Sequence, residues 1–151
     1  MMLRTPVGET SAKDWDAMFA LNVRAPYFLS QRAAPALRAS RGNIVNIADL
    51  AAFETWPAYV PHGITKSAVV QMTRALARVL APDVRVNAIA PGVALLPEGW
   101  SDADAEHLRS TTPLQRLGSP EDVAGAMLYL LDAGYVTGDV LMVDGGRHIR
   151  K

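Results

Sequence analysis

Three short β-rich runs, at residues 43–47 (NIVNI), 84–90 (VRVNAIA) and 140–143 (VLMV), are separated from one another by stretches of helical period. This spacing constrains the fold more than any other feature. Strands joined through a helix lie parallel, and the crossover between them is right-handed. The expected class is therefore α/β, a parallel sheet in a three-layer arrangement within a single domain covering residues 1–151. Ligands of such sheets sit beyond the carboxyl ends of the strands. Asp49, Pro91-Gly92 and Asp144-Gly145-Gly146 all fall near those ends.

The helices announce themselves by their starts. Residues 1–10 read as a loop broken by Pro6 and Gly8. Ser11 with Asp14 has capping-box spacing and opens a helix that continues to about residue 38. Trp15, Met18, Phe19, Asn22, Pro26 and Leu29 share one stripe of it, so Asn22 is a polar residue on a face expected to be buried. Pro26 has no N–H to give the Asn22 carbonyl, and a kink is expected there. A second helix is predicted over residues 62–80, with Ile64, Ala68, Met72, Ala75, Leu76 and Val79 inward. Ser101 with Asp104 caps a short helix to about Ser110. Ser119-Pro120-Glu121-Asp122 opens another that runs to about Asp132. Residues 50–61 and 93–100 read as loops.

Composition excludes several classes. Fifteen basic and fifteen acidic residues leave a formal net charge of zero, so nothing draws the chain to nucleic acid or an anionic membrane. There is no cysteine, which removes disulfides and thiolate metal sites and fits a reducing cytoplasm. No run of about 18 apolar residues is present to span a bilayer. The first ten residues lack the apolar core of a secretion signal.

His62 and Lys66 are four residues apart and share a helix face, and Asp49 follows the preceding strand. A carboxylate, an imidazole and an ammonium converging at a strand end suit proton transfer. From spacing alone the bland readings stand beside this one. A His/Lys pair is commonly a solvated helix face, an Asp after a strand a turn former, and a buried Asn a satisfied core amide. Asp144-Gly145-Gly146 reads as a turn, and His107 and His148 as surface residues. No metal site is expected.

Taken together, several stretches resemble the short-chain dehydrogenase/reductase family over nearly the whole chain. RVNAIAPG (85–92) is similar to its sixth-strand motif, PLQRLGSPEDVA (113–124) to the entry of its last large helix, and VTGDVLMVDGG (136–146) to its final strand. NVRAPYFL (22–29) is similar to the helix carrying the family's active-site Asn, and GITKSAV (63–69) to the one carrying its Lys. NIADLAAF (46–53) and PGVALLPEG (91–99) resemble the bacterial pteridine reductases, in which an Asp stands where most relatives have Ser.

The resemblance implies a partial Rossmann-like fold and an NAD(P)H-dependent reductase, with NADP or NAD as cofactor and a pterin as a candidate substrate. It assigns Asn22, Asp49 and Lys66 to three catalytic positions and puts His62 where the family has its proton-donating Tyr. Lys66⁺ disfavours a charged imidazole beside it, so weak chemistry or an altered substrate is expected. Tyr59 is an alternative donor. Asn22, Lys66, Pro91, Gly92 and Val93 are the implied contacts to nicotinamide and ribose. The family's Gly-rich phosphate turn is not in this sequence, so the chain resembles only the C-terminal portion of such an enzyme, truncated or one half of a split protein. Strand 43–47 would then be an exposed apolar edge. The resemblance further implies a homo-oligomer through helices 14–38 and 62–80, with Ala33, Val69, Val70 and Thr73 facing outward. Two alternatives remain: a non-catalytic assembly partner, and a reductase of a 3-oxoacyl thioester or sugar ketone.

Overall fold

A computed structural model describes residues 1–96 and 99–149. Pro97 and Glu98, within the stretch similar to pteridine reductases, lie outside the described residues, as do Arg150 and Lys151. Three parallel strands, β1 (Asn43–Ile47), β2 (Arg85–Pro91) and β3 (Val140–Val143), pair in that order. Asn43 faces Arg85 and Ile47 faces Ile89, while Ala88 faces Val140 and Pro91 faces Val143. Strand side chains alternate between faces. The even positions of β2, Val86, Ala88 and Ala90, pack with Val69, Val70, Ala77 and Leu80 of α3 (Val60–Leu80). On the odd positions, Arg85 reaches α5 (Pro120–Asp132), donating to the Leu130 and Leu131 carbonyls at 2.8 and 2.7 Å. The sheet therefore has helices on both faces, as its alternation with helices dictates. α4 (Asp102–Ser110) and α5 each begin with the capping box read from their Ser residues.

β2 is buried along its length, as expected of a central strand. β1 departs from the buried strand its composition suggests. Only Asn46 is buried, and Ile47 is 43% exposed, because β1 has a neighbour on one side alone among the described residues. The exposed apolar edge expected from the resemblance is thus present.

The first long helix is three pieces: α1 (Ala12–Phe19), a π-helical turn (Ala20–Arg24) and α2 (Ala25–Ser40). Pro26 cannot bond the Asn22 carbonyl, and the Ala25 N–H bonds five residues back to Ala20, so the expected kink takes the form of a π turn. Its extra residue rotates the following helix. Met18 and Asn22 are buried as predicted, but beyond the turn Ser30 and Ala34 face inward and Leu29 is 72% exposed.

α3 corrects a second expectation. Its inward face is His62, Thr65, Val69, Thr73, Ala77 and Leu80, whereas Ile64, Ala75 and Val79 lie outside. Polar residues win the buried face because each is satisfied there. Thr73 donates to the Val69 carbonyl and accepts from Asn46 at 2.9 Å, and Thr65 donates to the His62 carbonyl and accepts from Asn22. Val69, Val70 and Thr73 therefore serve this chain's own core and are not the outward face assigned to them.

Candidate active site

Four of the predicted residues converge at the carboxyl end of β1. Asp49 leaves the strand in extended conformation and caps the 3₁₀ turn Leu50–Ala52, its Oδ1 accepting the Ala51 N–H at 2.9 Å. Its Oδ2 lies 3.3 Å from His62 Nε2. His62 sits in the first turn of α3, where Pro61 occupies an early position that needs no N–H partner. The ring is buried, and its Nδ1 lies 3.3 Å from the Met1 carbonyl. One turn on, the Lys66 ammonium donates to the carbonyls of Ile47 and Ala48 at 3.0 and 3.2 Å, which ties α3 to the end of β1. Burial pushes the Lys66 ammonium below its ordinary range, and the Asp49 carboxylate partly opposes that shift.

Asn22 joins the group from the π turn. Its amide donates to the Met1 carbonyl at 2.8 Å and to Thr65 Oγ1 at 3.0 Å, and its Oδ1 accepts from the Met1 nitrogen at 2.8 Å. The Met1 carbonyl is thus shared by Asn22 and His62. Thr5 N–H donates to the Ala58 carbonyl at 2.8 Å, holding the first residues across the site. Neither Thr65 nor this opening segment was singled out from sequence. Thr65 carried a signal, its place three residues after His62 on the same face, but a loop of mixed residues carries none.

A cleft of about 490 Å³ opens beside these groups. Asp49 lines it, with Leu50, Trp56, Tyr59, Trp100 and Leu108 among its walls. Pro91, Gly92 and Val93 form another wall, at the end of β2. Gly92 is required there, because a Cβ would stand 2.9 Å from the Asp144 Cα. Asn22, His62 and Lys66 are not among the residues that line the cleft. Tyr59, the alternative donor, lies in the 3₁₀ turn Pro57–Tyr59 rather than in open loop, edge-on to Trp56 at 6.2 Å. Trp56 is fixed in turn by its Nε1 donating to Glu54 at 2.8 Å.

The turn after β3 does more than reverse the chain. Asp144 Oδ2 accepts the His148 N–H at 2.7 Å and faces the ring Nδ1 at 2.8 Å, while Oδ1 accepts the Gly146 N–H. Burial works against the Asp144 charge, but the His148 ring and these two N–H groups hold the carboxyl below its usual range. His107 is exposed, as read. Among the described residues no group of three metal-ligating side chains forms, and no helix is long and apolar enough to cross a membrane.

The family described as Enoyl-(Acyl carrier protein) reductase matches residues 1–148. A Streptomyces violaceoruber protein named for a ketoacyl reductase of granaticin polyketide synthase is 40% identical over 142 residues, which is 89% of this chain and 56% of that protein. The human dehydrogenase/reductase SDR family member 4 is 35% identical over 140 residues, 87% of this chain and 50% of the relative. Among solved structures, 4-hydroxyisoleucine dehydrogenase complexed with NADH superposes with a TM-score of 0.93 at 29% identity, covering 100% of this chain and 66% of that one. The chain thus spans about half the length of the curated relatives it matches.

Proposed function

Because this chain belongs to the short-chain dehydrogenase/reductase family, we propose that it carries the catalytic portion of an NAD(P)H-dependent oxidoreductase that reduces a carbonyl or imine. The observation that carries the reading is the convergence of Asn22, Asp49, His62 and Lys66 at one strand end, beside a cleft walled by Pro91-Gly92-Val93. These residues fit the nicotinamide–ribose end of the cofactor. An ammonium has three donors, and two of Lys66's are directed at the Ile47 and Ala48 carbonyls, which leaves one for a ribose hydroxyl. The pyrophosphate falls to a Gly-rich region, in the same chain or another, since no such turn lies in these residues.

When bound, a reduced nicotinamide supplies hydrogen and an electron pair to the substrate carbon. The protein's task is to deliver a proton to the atom that becomes negative. Asp49 and His62 hold the groups for that step. Lys66 adds positive charge behind Asp49, and Asn22 fixes the opening segment and Thr65 on either side of His62.

The substrate we favour is a pterin-like ring, on the strength of Asp49 in the position resembling pteridine reductases. A 3-oxoacyl thioester is the second reading, favoured by the name of the 40%-identical relative. The site of action is the cytoplasm, and the working form is a homo-oligomer through the helices that carry Asn22 and Lys66. Calorimetric titration with NADPH and NADH tests the reading. The chain joined by a Gly-rich nucleotide-binding half should bind one of them at micromolar concentration, and the chain alone only near millimolar. Failure to bind even when joined would refute it.

A further inference from the structure

We infer that Thr65 is a positioning residue of this site: its hydroxyl fixes the sense of the Asn22 amide and, through it, holds the opening segment whose Met2 lines the cleft. The inference rests on the reductase reading only for what the cleft receives. Its basis is a chain of bonds that runs from the core to the cleft. Thr65 is 0% exposed and Asn22 is 8% exposed, so both side chains must find their partners inside the protein.

A hydroxyl has one proton. That of Thr65 goes to the His62 carbonyl, one turn back on α3, at 2.7 Å. The oxygen can then only accept, and it accepts from Asn22 Nδ2 at 3.0 Å. A carboxamide has a donating end and an accepting end, so an acceptor at this point selects the donating one. Asn22 Oδ1 is left for the opening segment. It accepts from the Met1 nitrogen at 2.8 Å, while Nδ2 also donates to the Met1 carbonyl at 2.8 Å. One side chain thus clasps both backbone groups of one residue.

The far end of the segment is tied by its backbone, with Thr5 N–H donating to the Ala58 carbonyl at 2.8 Å. The Thr5 side chain adds no hydrogen bond, because its Oγ1 is buried without a partner among the described residues. Between the two ties, Met2 lines the cleft, and the Met1 carbonyl lies 3.3 Å from His62 Nδ1. Losing the clasp therefore frees a wall of the cleft and a neighbour of the His62 ring. Valine at position 65 has the shape of threonine without either bond, and it leaves a buried Nδ2 proton of Asn22 unpaired.

The same face of α3 carries a second pair of this kind. Thr73, also 0% exposed, donates to the Val69 carbonyl at 2.8 Å and accepts from Asn46 Nδ2 at 2.9 Å. That pair ties α3 to β1, whereas the Thr65 pair ties it to the π turn that carries Asn22. A purely structural role for Thr65 would make the two threonines equivalent.

Thr65→Val, Thr65→Ser and Thr73→Val test the inference on the chain alone, with no cofactor. Three signals are followed: exchange of the Asn22 side-chain amide protons, exchange of the Thr5 N–H, and the ¹³C shift of the Met2 methyl. In the parent the Asn22 amide protons should exchange slowly. Thr65→Val should speed their exchange and that of Thr5 by about tenfold or more, the change expected for loss of a buried hydrogen bond. It should also move the Met2 methyl toward the shift of an exposed methionine. Thr65→Ser should behave as the parent. Thr73→Val should lower the denaturation midpoint as Thr65→Val does, yet leave all three local signals in place. Signals unchanged in folded Thr65→Val, or moved equally by Thr73→Val, overturn the inference. If Thr65→Val does not fold, slow Asn22 exchange in the parent together with a parent-like Thr65→Ser upholds it, and fast Asn22 exchange in the parent overturns it. Failure of the joined chain to bind nicotinamide would sink the reductase reading and leave these signals unaltered, so the two fail separately.

Discussion

Lys66 carries the site's clearest electrostatic consequence. Its ammonium is drawn below the ordinary lysine range by burial, against the smaller pull of Asp49. A lysine lowered on folding holds fewer protons in the folded state than in the unfolded one across the window between the two values. Stability then rises with pH through that window and is level above it. Denaturant midpoints of the parent should therefore climb with pH on the alkaline side more than those of Lys66→Met. Parallel curves for the two proteins would show that the ammonium is not desolvated. Residues of this kind were only partly legible in the sequence. Spacing puts His62 and Lys66 on one face, and the strand end puts Asp49 near them. Nothing in spacing says that the Met1 carbonyl completes the ring's partners, because that contact joins residues 61 apart through an irregular segment. His148 was read as surface and is exposed, yet its pairing with Asp144 follows from a turn whose side-chain bonds no pattern announces.

At the scale of elements, starts and strands were legible because each rests on local chemistry. The cap serines of α1, α4 and α5 lie where the sequence puts them, and β1 and β3 span the predicted residues. Faces were less legible. Period-3.6 reading assumes that apolar residues point inward, but α3 buries Thr65 and Thr73, whose hydroxyls find partners, and exposes Ile64 and Val79. In the first helix the π turn shifts the phase, so Leu29 emerges on the surface. These exposed residues make the oligomer proposal specific. Between the helices runs an apolar groove lined by Val23, Tyr27, Met72 and Leu76, with Phe28 and Ile64 exposed on the same helices. Sedimentation velocity should find self-association at micromolar concentration, and Tyr27→Asp should weaken it by about tenfold or more, as expected for a buried aromatic anchor. A monomer under those conditions would remove the helices' role in assembly.

Across the whole molecule, the described residues form a three-stranded parallel sheet with helices on both faces and a cleft at its carboxyl end, the place where folds of this class bind their ligands. Among the described residues one edge of the sheet, β1, is open and partly apolar, and the candidate groups Asp49 and His62 stand at the end of that same strand. The proposed activity therefore joins two requirements: a nucleotide-binding region to complete the cofactor site, and the cluster of Asn22, Asp49, His62 and Lys66 to use it. The most direct test supplies the first and reads the second. The chain, joined by a Gly-rich nucleotide-binding half, is given NADPH deuterated at the nicotinamide C4 together with an oxidised pterin or a 3-oxoacyl thioester, and the product is examined for the label. The account predicts deuterium on the reduced carbon of one substrate, with the rate lowered about 100-fold or more in Asp49→Ala, the range seen for loss of a proton-transfer group. Bound NADPH with no label in either product, or label transferred as fast by Asp49→Ala, would contradict it.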